Sequence, residues 1–366
     1  MTAADVDALL RRPFDHYARY RLAADVVLAT AGPDARVLDL GGGPGSLQAF
    51  LPDAAVTSTD IEAPSSWHAQ APSLVLADGA ALPFADDAFD VVVTLDTLEH
   101  VVPASRAAFL EEVARVAGRW ALVVCPFDTP GVADADIALR AYVRNRFAPD
   151  LPTIAILDEH IGYGHPDLDA SRDRLARHGP VAPIPSGRLD RWFAGMLAFF
   201  HLLALGDDEP VEVVQRFYNR TFYAADLAAP SYRHGLLLRT SDEAVDPADV
   251  VAPMLERAAA DPAADADLSL LRVVLAESLV ASTQRARADS VDAHQRSAAL
   301  EDELAAAVAA ADRARADAAA AEAARAAETA AREALQASHD ELAAFRDAVI
   351  AHPLMRVRRL LRRLAR

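Results

Sequence analysis

The sequence contains no lysine, so all 36 of its basic residues are arginine. A phosphate-binding P-loop requires a lysine after its glycines, and that class of nucleotide site is therefore excluded. The single cysteine, Cys125, excludes an internal disulfide and is compatible with a reducing cytoplasm. Because 54 acidic residues leave a net charge of −18, binding of nucleic acid through the overall field is not expected.

Long apolar runs are also lacking. The most apolar stretch, residues 192–205, is too short to span a bilayer. The first 17 residues contain acids in place of the apolar core of a secretory signal. We therefore expect a cytoplasmic protein.

The composition divides the chain into successive regions. In residues 1–240, short apolar runs alternate with helical patterns, which predicts an α/β domain with a parallel sheet covered by helices on both faces. Residues 241–262 are acidic and contain three prolines, which suits a linker with one short helix. Residues 263–351 lack proline and glycine and place leucines near heptad spacing, which predicts a long helix in a homo-oligomeric coiled coil. The alternative is a single solvated, alanine-rich helix.

The tail, residues 352–366, reverses the charge of the chain. Residues 353–366 contain six arginines and no acid, and their apolar residues fall on one helical face. This pattern predicts a basic amphipathic helix on an anionic membrane surface, which would place the protein at the inner face of the cell membrane. A cap on the coiled coil, or a tail that pairs with the acidic body, are the alternatives.

A glycine-rich turn follows the first predicted strand, in "RVLDLGGGPGS" (36–46). Such a turn between a strand and a helix allows a ligand to approach the backbone closely. The fingerprint of dinucleotide-binding proteins is incomplete here, because Ser46 stands where its third glycine belongs. What fits is an acid, Asp39, followed by Gly41, Gly43 and Gly45 in alternation.

This motif and the acids after it resemble the Rossmann-like (class I) S-adenosylmethionine-dependent methyltransferases over residues 1–240. Asp60 ends the second predicted strand, Asp78 follows the third and Asp96 ends the fourth. The resemblance implies that Asp39, the three glycines, Asp60, Asp78 and Asp96 bind S-adenosylmethionine, with Asp60 on the ribose hydroxyls and Asp78 near the adenine. A ligand without a phosphate, with donor groups and a cationic sulfonium, suits a site of carboxylates.

Methyl transfer to a hydroxyl also needs a base. The stretch "LDEHIGYGHPDLD" (157–169) predicts an ordered loop over the crevice and resembles a segment of methyltransferases of bacterial cell-surface glycan assembly. We favour His160 as the general base, then His165, with His100 of the "LEH" segment as the third candidate. A metal site of Asp128, Glu159, His160 and His165 has no regular ligand spacing, so no metal is expected.

The preferred interpretation is a methyltransferase that O-methylates a sugar hydroxyl of a cell-surface glycan or lipid-linked precursor. One alternative is a methyltransferase for a soluble small molecule, with the coiled coil serving assembly alone. The other is a non-catalytic scaffold that keeps the methyltransferase fold.

Overall fold

A computed structural model of the chain describes residues 3–62, 64, 67, 73–147, 151–204, 208–263, 272, 276 and 293–351. The chain divides into two compact units, residues 1–283 and 284–366. All of the predicted site residues lie in the first unit.

The described strands of the first unit form one sheet in the order β3-β2-β1-β4-β5-β7-β6. They are β1 (Arg36–Leu40), β2 (Ala55–Asp60), β3 (Leu74–Leu76), β4 (Phe89–Leu95), β5 (Ala117–Pro126), β6 (Val181–Arg188) and β7 (Ser231–Arg239). Strands β1 to β5 pair in parallel, whereas β7 runs antiparallel to both β5 and β6. The predicted α/β class is confirmed, but the sheet is mixed rather than parallel.

Strand β6 has no counterpart in the sequence prediction. Its segment, "VAPIPSGR", contains two prolines, which interrupt a strand pattern. The structure accommodates Pro183 and Pro185 because β6 is the last strand at one edge of the sheet, where only one side of the strand needs hydrogen-bond partners.

Helices cover both faces of the sheet. The described helices of this unit are α1 (Ala3–Leu10), α2 (Phe14–Thr30), α3 (Arg106–Val116), α4 (Val132–Arg146), α5 (Pro152–Tyr163), α6 (Leu168–Leu175), α7 (Leu189–Leu203), α8 (Asp208–Thr221) and α9 (Pro247–Ala260). Along β4, Val91 and Val93 belong to the core cluster that contains Val27 of α2. Val92, which points to the opposite face, belongs to the cluster that contains Val113 of α3.

A third core cluster joins α4, α5, α7 and α8. Trp192, Phe200 and Leu202 of the aromatic helix α7 are buried in it. Trp192 and Phe200 also line a cavity.

The segment 241–262 contains the short helix that its sequence suits, and this helix packs against the domain. Helix α9 begins after the cap residue Asp246, whose side chain accepts a hydrogen bond from the N–H of Ala248. Val251, Met254 and Ala258 are buried against the same core cluster as α2. Their i, i+3, i+7 spacing is helical, but it stands among acids and prolines that resemble a linker.

In the second unit, the long helix α10 (Ala293–Ala351) contains 59 residues. Val308, Leu335 and Leu342 are 55%, 72% and 66% exposed in the single chain. The predicted helix is thus present over 293–351, while the coiled coil stays a prediction. Most of 264–292 and the basic tail, 352–366, lie outside the described residues. Within the described part of the chain, no helix has the length and apolar character needed to cross a membrane.

Candidate functional site

Two cavities adjoin where the parallel strands end. The strand-end cavity, about 430 Å³, is lined by residues that follow β1 to β4, among them Gly41, Asp60 and Asp78. The aromatic cavity, about 350 Å³, lies among α2, α5, α7 and β7. Asp96 and His100 line both cavities, so a ligand in one lies next to a ligand in the other.

The glycine turn folds back over Asp39. Gly41, Gly43 and Gly45 all have positive φ angles, 74°, 51° and 77°, which favour glycine. Gly42 is needed for a different reason, because a Cβ there would collide with the carboxylate of Asp39. The sequence prediction included the three alternating glycines and missed Gly42.

The carboxylate of Asp39 is fully buried and neither of its oxygens has a hydrogen-bond partner among the described residues. Burial raises the pKa of Asp39 to about 7, with Arg19 opposing the rise through its charge. An unpaired buried carboxylate is costly unless a donor or cation satisfies it. Asp39 lines neither cavity, so a cation bound near the turn would stabilise its ionised form through charge.

Asp60 and Asp78 lie on the wall of the strand-end cavity, as the sequence predicts. Asp60 ends β2, and Asp78 follows β3 in a turn where its Oδ1 accepts a hydrogen bond from the N–H of Ala80 at 2.9 Å. Asp78 thus also stabilises this turn through its side chain. Their part in holding a ligand stays a prediction.

Asp96 has an unusual backbone and strong partners. Its φ angle is 50°, which is rare for a residue other than glycine. Its carboxylate accepts hydrogen bonds from Arg19 at 2.5 Å and from Arg233 at 2.6 Å, and Asp15 bonds to the same two arginines. Burial opposes ionisation, but the two arginines hold the pKa of Asp96 well below its usual range. We call these four residues the ion cluster.

The three predicted histidines are brought together at the aromatic cavity. The Nδ1 of His160 lies 2.8 Å from Asp136, and the Nε2 of His165 lies 3.0 Å from the same oxygen. The Nε2 of His160 is 3.3 Å from the Nε2 of His100, whose Nδ1 is 2.8 Å from Glu159. His100 and His160 line the cavity. His165 does not line it and contacts Asp136 instead.

Asp136 accepts hydrogen bonds from several residues of this cluster. It is fully buried, and Tyr232 donates a hydrogen bond to its second oxygen at 2.7 Å. Burial raises the pKa of Asp136, but the hydrogen bonds from His160, His165 and Tyr232 lower it to about 2. An ionised Asp136 holds His160 in one orientation.

Glu99, beside these histidines, is also buried without a partner. Its side chain lines the aromatic cavity and both oxygens lack hydrogen bonds within the described structure. Burial, and then the charge of Asp96, raise the pKa of Glu99 well above its usual range. One Glu99 oxygen lies 4.0 Å from the Nε2 of His160, which is beyond hydrogen-bond distance.

Residues 38–124 match the sequence family described as "Methyltransferase domain". The matched segment extends from β1 through β5 and includes the glycine turn, Asp60, Asp78, Asp96 and His100. This part of the chain is similar to methyltransferase domains.

Relatives resemble the chain over short stretches. An uncharacterized methyltransferase of Mycolicibacterium gilvum is 37% identical over 114 residues, which cover 28% of this chain and 44% of the relative. One of Mycobacterium avium is 41% identical over 73 residues, 18% of this chain and 29% of the relative. The chain thus spans less than half the length of these curated relatives.

Solved structures with similar topology include a putative methyltransferase of Bacillus halodurans. It has 19% identity and a TM-score of 0.35, and the match covers 60% of this chain and 98% of that one. The magnesium protoporphyrin IX methyltransferase of Synechocystis has 17% identity and a TM-score of 0.36, over 66% and 89%. TM-scores this low do not bear on the function.

One prediction around the methyltransferase domain is wrong. The stretch 157–169 is not a loop throughout, because α5 continues to Tyr163 and carries His160 on its buried face. Gly164 (φ 68°) ends this helix, and α6 begins at Leu168. The glycines and the proline therefore indicate where the helix ends, and they do not make the whole segment a loop. Asp128, a candidate metal ligand, is exposed and lines neither cavity.

Several functional residues were missed by the sequence analysis. Arg19 comes from α2 and Arg233 from β7, and they contact Asp96 across 77 and 137 positions of the chain. Asp136 lies in α4 in an ordinary helical pattern with other acids. None has a local sequence signal, because each acts through partners that only the fold brings near.

Proposed function

We propose that the protein transfers a methyl group from S-adenosylmethionine to a hydroxyl group of an acceptor in the aromatic cavity. The observation that carries this proposal is the junction of the two cavities at Asp96 and His100. On one side are the acids of the methyltransferase domain. On the other is a histidine oriented by a buried carboxylate.

The strand-end cavity suits the donor by its charge. Its described lining contains Asp60, Asp78 and Asp96 and no arginine. Asp39 adds a buried carboxylate without a partner under the turn. When bound, S-adenosylmethionine supplies an electrophilic methyl group on a sulfonium, and the sulfur keeps the bonding electron pair as the acceptor oxygen takes the methyl group.

His160 is the proposed base for the acceptor hydroxyl. Because the carboxylate of Asp136 can only accept, the Nδ1 of His160 carries the proton and its Nε2 keeps a lone pair. That lone pair removes the hydroxyl proton as the oxygen attacks, and Asp136 stabilises the imidazolium formed. His100, in the shared wall, lies beside the reacting groups.

The aromatic cavity limits the acceptor. Its volume of about 350 Å³ lies at the lower end of small-molecule sites, so one sugar ring fits and a long glycan does not. Trp192 and Tyr232 stack at 3.4 Å and form an apolar wall beside polar groups. We propose that the acceptor is the terminal sugar of a cell-surface glycan or lipid-linked precursor. A soluble small molecule of similar size is the alternative.

The experiment compares His160→Ala with His178→Ala, a histidine that bonds to Glu111 away from both cavities. Calorimetry with S-adenosylmethionine should give nearly wild-type affinity for both variants. Transfer of labelled methyl groups to free sugars, or to a lipid-linked glycan extract, should fall by about 10²–10⁴-fold in His160→Ala only. Label in the free sugars alone would favour the soluble acceptor.

Asp60→Ala provides the complementary variant. It should weaken binding of S-adenosylmethionine by roughly 10- to 100-fold through loss of charge-assisted hydrogen bonds. No binding to folded wild-type protein would reject the enzyme and favour the scaffold. Unimpaired turnover in His160→Ala would reject His160 as the base.

A further inference from the structure

Three electron-pair donors converge in the wall of the aromatic cavity. They are the Nε2 atoms of His100 and His160, 3.3 Å apart, and the carboxylate of Glu99, 4.0 Å from His160. These ligand atoms all lie within 4.8 Å of one another. Their chemistry is that of metal ligands, namely two imidazoles and one carboxylate.

The partners of the histidines direct both lone pairs to the same point. Asp136 accepts a hydrogen bond from the Nδ1 of His160, and Glu159 accepts one from the Nδ1 of His100. In the neutral form each imidazole has one donor and one acceptor nitrogen, so both Nε2 atoms are acceptors. Two acceptors that face each other at 3.3 Å repel unless a proton or a metal cation lies between them.

The burial of Glu99 is a second, independent indication that a cation binds here. Its side chain is fully buried, and neither oxygen has a partner among the residues that the structure describes. Buried polar groups are rarely left unpaired, and those that are call for an explanation such as an ion.

We propose that Glu99, His100 and His160 bind one divalent transition-metal ion of the zinc class. Two nitrogens bound tetrahedrally at about 2.1 Å are about 3.4 Å apart, close to the separation found here. Asp136 and Glu159 are the outer carboxylates that typically orient metal-bound histidines. All three ligands line the aromatic cavity, so an oxygen atom of the acceptor can complete the coordination.

A second group, Asp136 with His160 and His165, has a suitable spacing but is already satisfied. Asp136 accepts hydrogen bonds from both histidines and from Tyr232. A cation there would have to replace these bonds. Glu99, by contrast, has no bond to lose.

The metal site does not depend on the proposed methyl transfer, because metal binding is measured in the absence of methyl donor and acceptor. Metal binding does change the role of His160. A metal-bound His160 has no lone pair for a proton, so His160 acts as the base only in the metal-free protein. In the metal-bound protein the ion would take over this task by lowering the pKa of an acceptor hydroxyl coordinated to it.

The test uses the full chain after dialysis against a chelator. Calorimetry with Zn²⁺ should show one saturable site. Co²⁺ should give the visible absorption bands of a four-coordinate site, and these bands should disappear when Zn²⁺ displaces the Co²⁺. In Glu99→Gln the Zn²⁺ affinity should fall by about 10- to 100-fold or more. The matched control is His178→Gln, which removes a surface histidine and should keep the wild-type affinity.

A thermal measurement separates loss of the site from loss of the fold. Without metal, Glu99→Gln should melt no lower than wild type, because it removes an unpaired buried carboxyl. Zn²⁺ should raise the melting temperature of wild type and His178→Gln but not of Glu99→Gln. Absence of saturable binding, or equal affinity in wild type and Glu99→Gln, would overturn the proposal. Weakening by His165→Gln alone would place the ion at Asp136 and would overturn it equally.

Discussion

Substitution of Asp39 by asparagine tests the unpaired carboxylate under the glycine turn. Burial raises the pKa of Asp39 from 3.8 to about 7. A carboxyl with a raised pKa stabilises the fold below the unfolded pKa, and this contribution is lost as the pH rises through the folded pKa. At about 1.36 kcal/mol per pKa unit, ionised Asp39 costs the ligand-free protein about 4 kcal/mol at pH 8.

The expected result is a difference between wild type and Asp39→Asn that depends on pH. From pH 5 to pH 8, wild type should lose about 2 to 3 kcal/mol of unfolding free energy relative to the variant. Urea unfolding followed by tryptophan fluorescence measures this, since Trp67, Trp120 and Trp192 all lie in the first unit. The amide introduced by Asp39→Asn does not titrate, so its own effect on the unfolding free energy is the same at each pH and does not alter how the difference changes with pH.

Donor binding should have the opposite pH dependence. A cationic ligand binds the ionised carboxylate, so the wild-type affinity for S-adenosylmethionine should rise by up to about tenfold per pH unit below pH 7 and then level off. Asp39→Asn should bind weakly with little pH dependence. A stability difference that stays constant from pH 5 to pH 8 would refute the assignment of a raised pKa to Asp39.

Arg233→Met should destabilise the protein by about 3 to 5 kcal/mol, because it removes a buried guanidinium and leaves the partly buried carboxylates of Asp15 and Asp96 with the charge of Arg19 and a hydrogen bond from Trp192 to Asp15. Urea unfolding measures this against Arg36→Met, which breaks an exposed ion pair, and equal losses would contradict a special role of the ion cluster. Deletion of residues 353–366 should abolish sedimentation with anionic liposomes while neutral liposomes bind neither form. Unchanged sedimentation after the deletion, or none by the full chain, would reject the membrane tail.

The acids around the strand ends were accessible from the sequence for a physical reason. Asp39, Asp60 and Asp96 each stand at or near the carboxyl end of a parallel strand. Such ends meet at one edge of the sheet, so strand order along the chain is enough to place the residues together. Local patterns and one topological rule therefore predicted this half of the site.

The other half depends on long-range contacts that no spacing encodes. His100 and His160 meet across 60 positions of the chain, and Arg233 reaches Asp15 across 218. The sequence singled out the histidines by type but placed His160 in a loop, since Gly162, Gly164 and a proline follow within a few residues. The helix persists to Tyr163 because its buried face packs into the core.

Asp96 shows why the two halves act as one site. A residue other than glycine at φ 50° is strained by of order 1 kcal/mol or more, and such strain persists only where the surroundings fix it. Arg19 of α2 and Arg233 of β7 supply that constraint, with Asp15 balancing the charges. The ion cluster thus fixes the common wall of both cavities before any ligand binds. In the proposed reaction, donor and acceptor would then meet in an orientation set by the fold, so that little of their binding energy would be spent on arranging the protein.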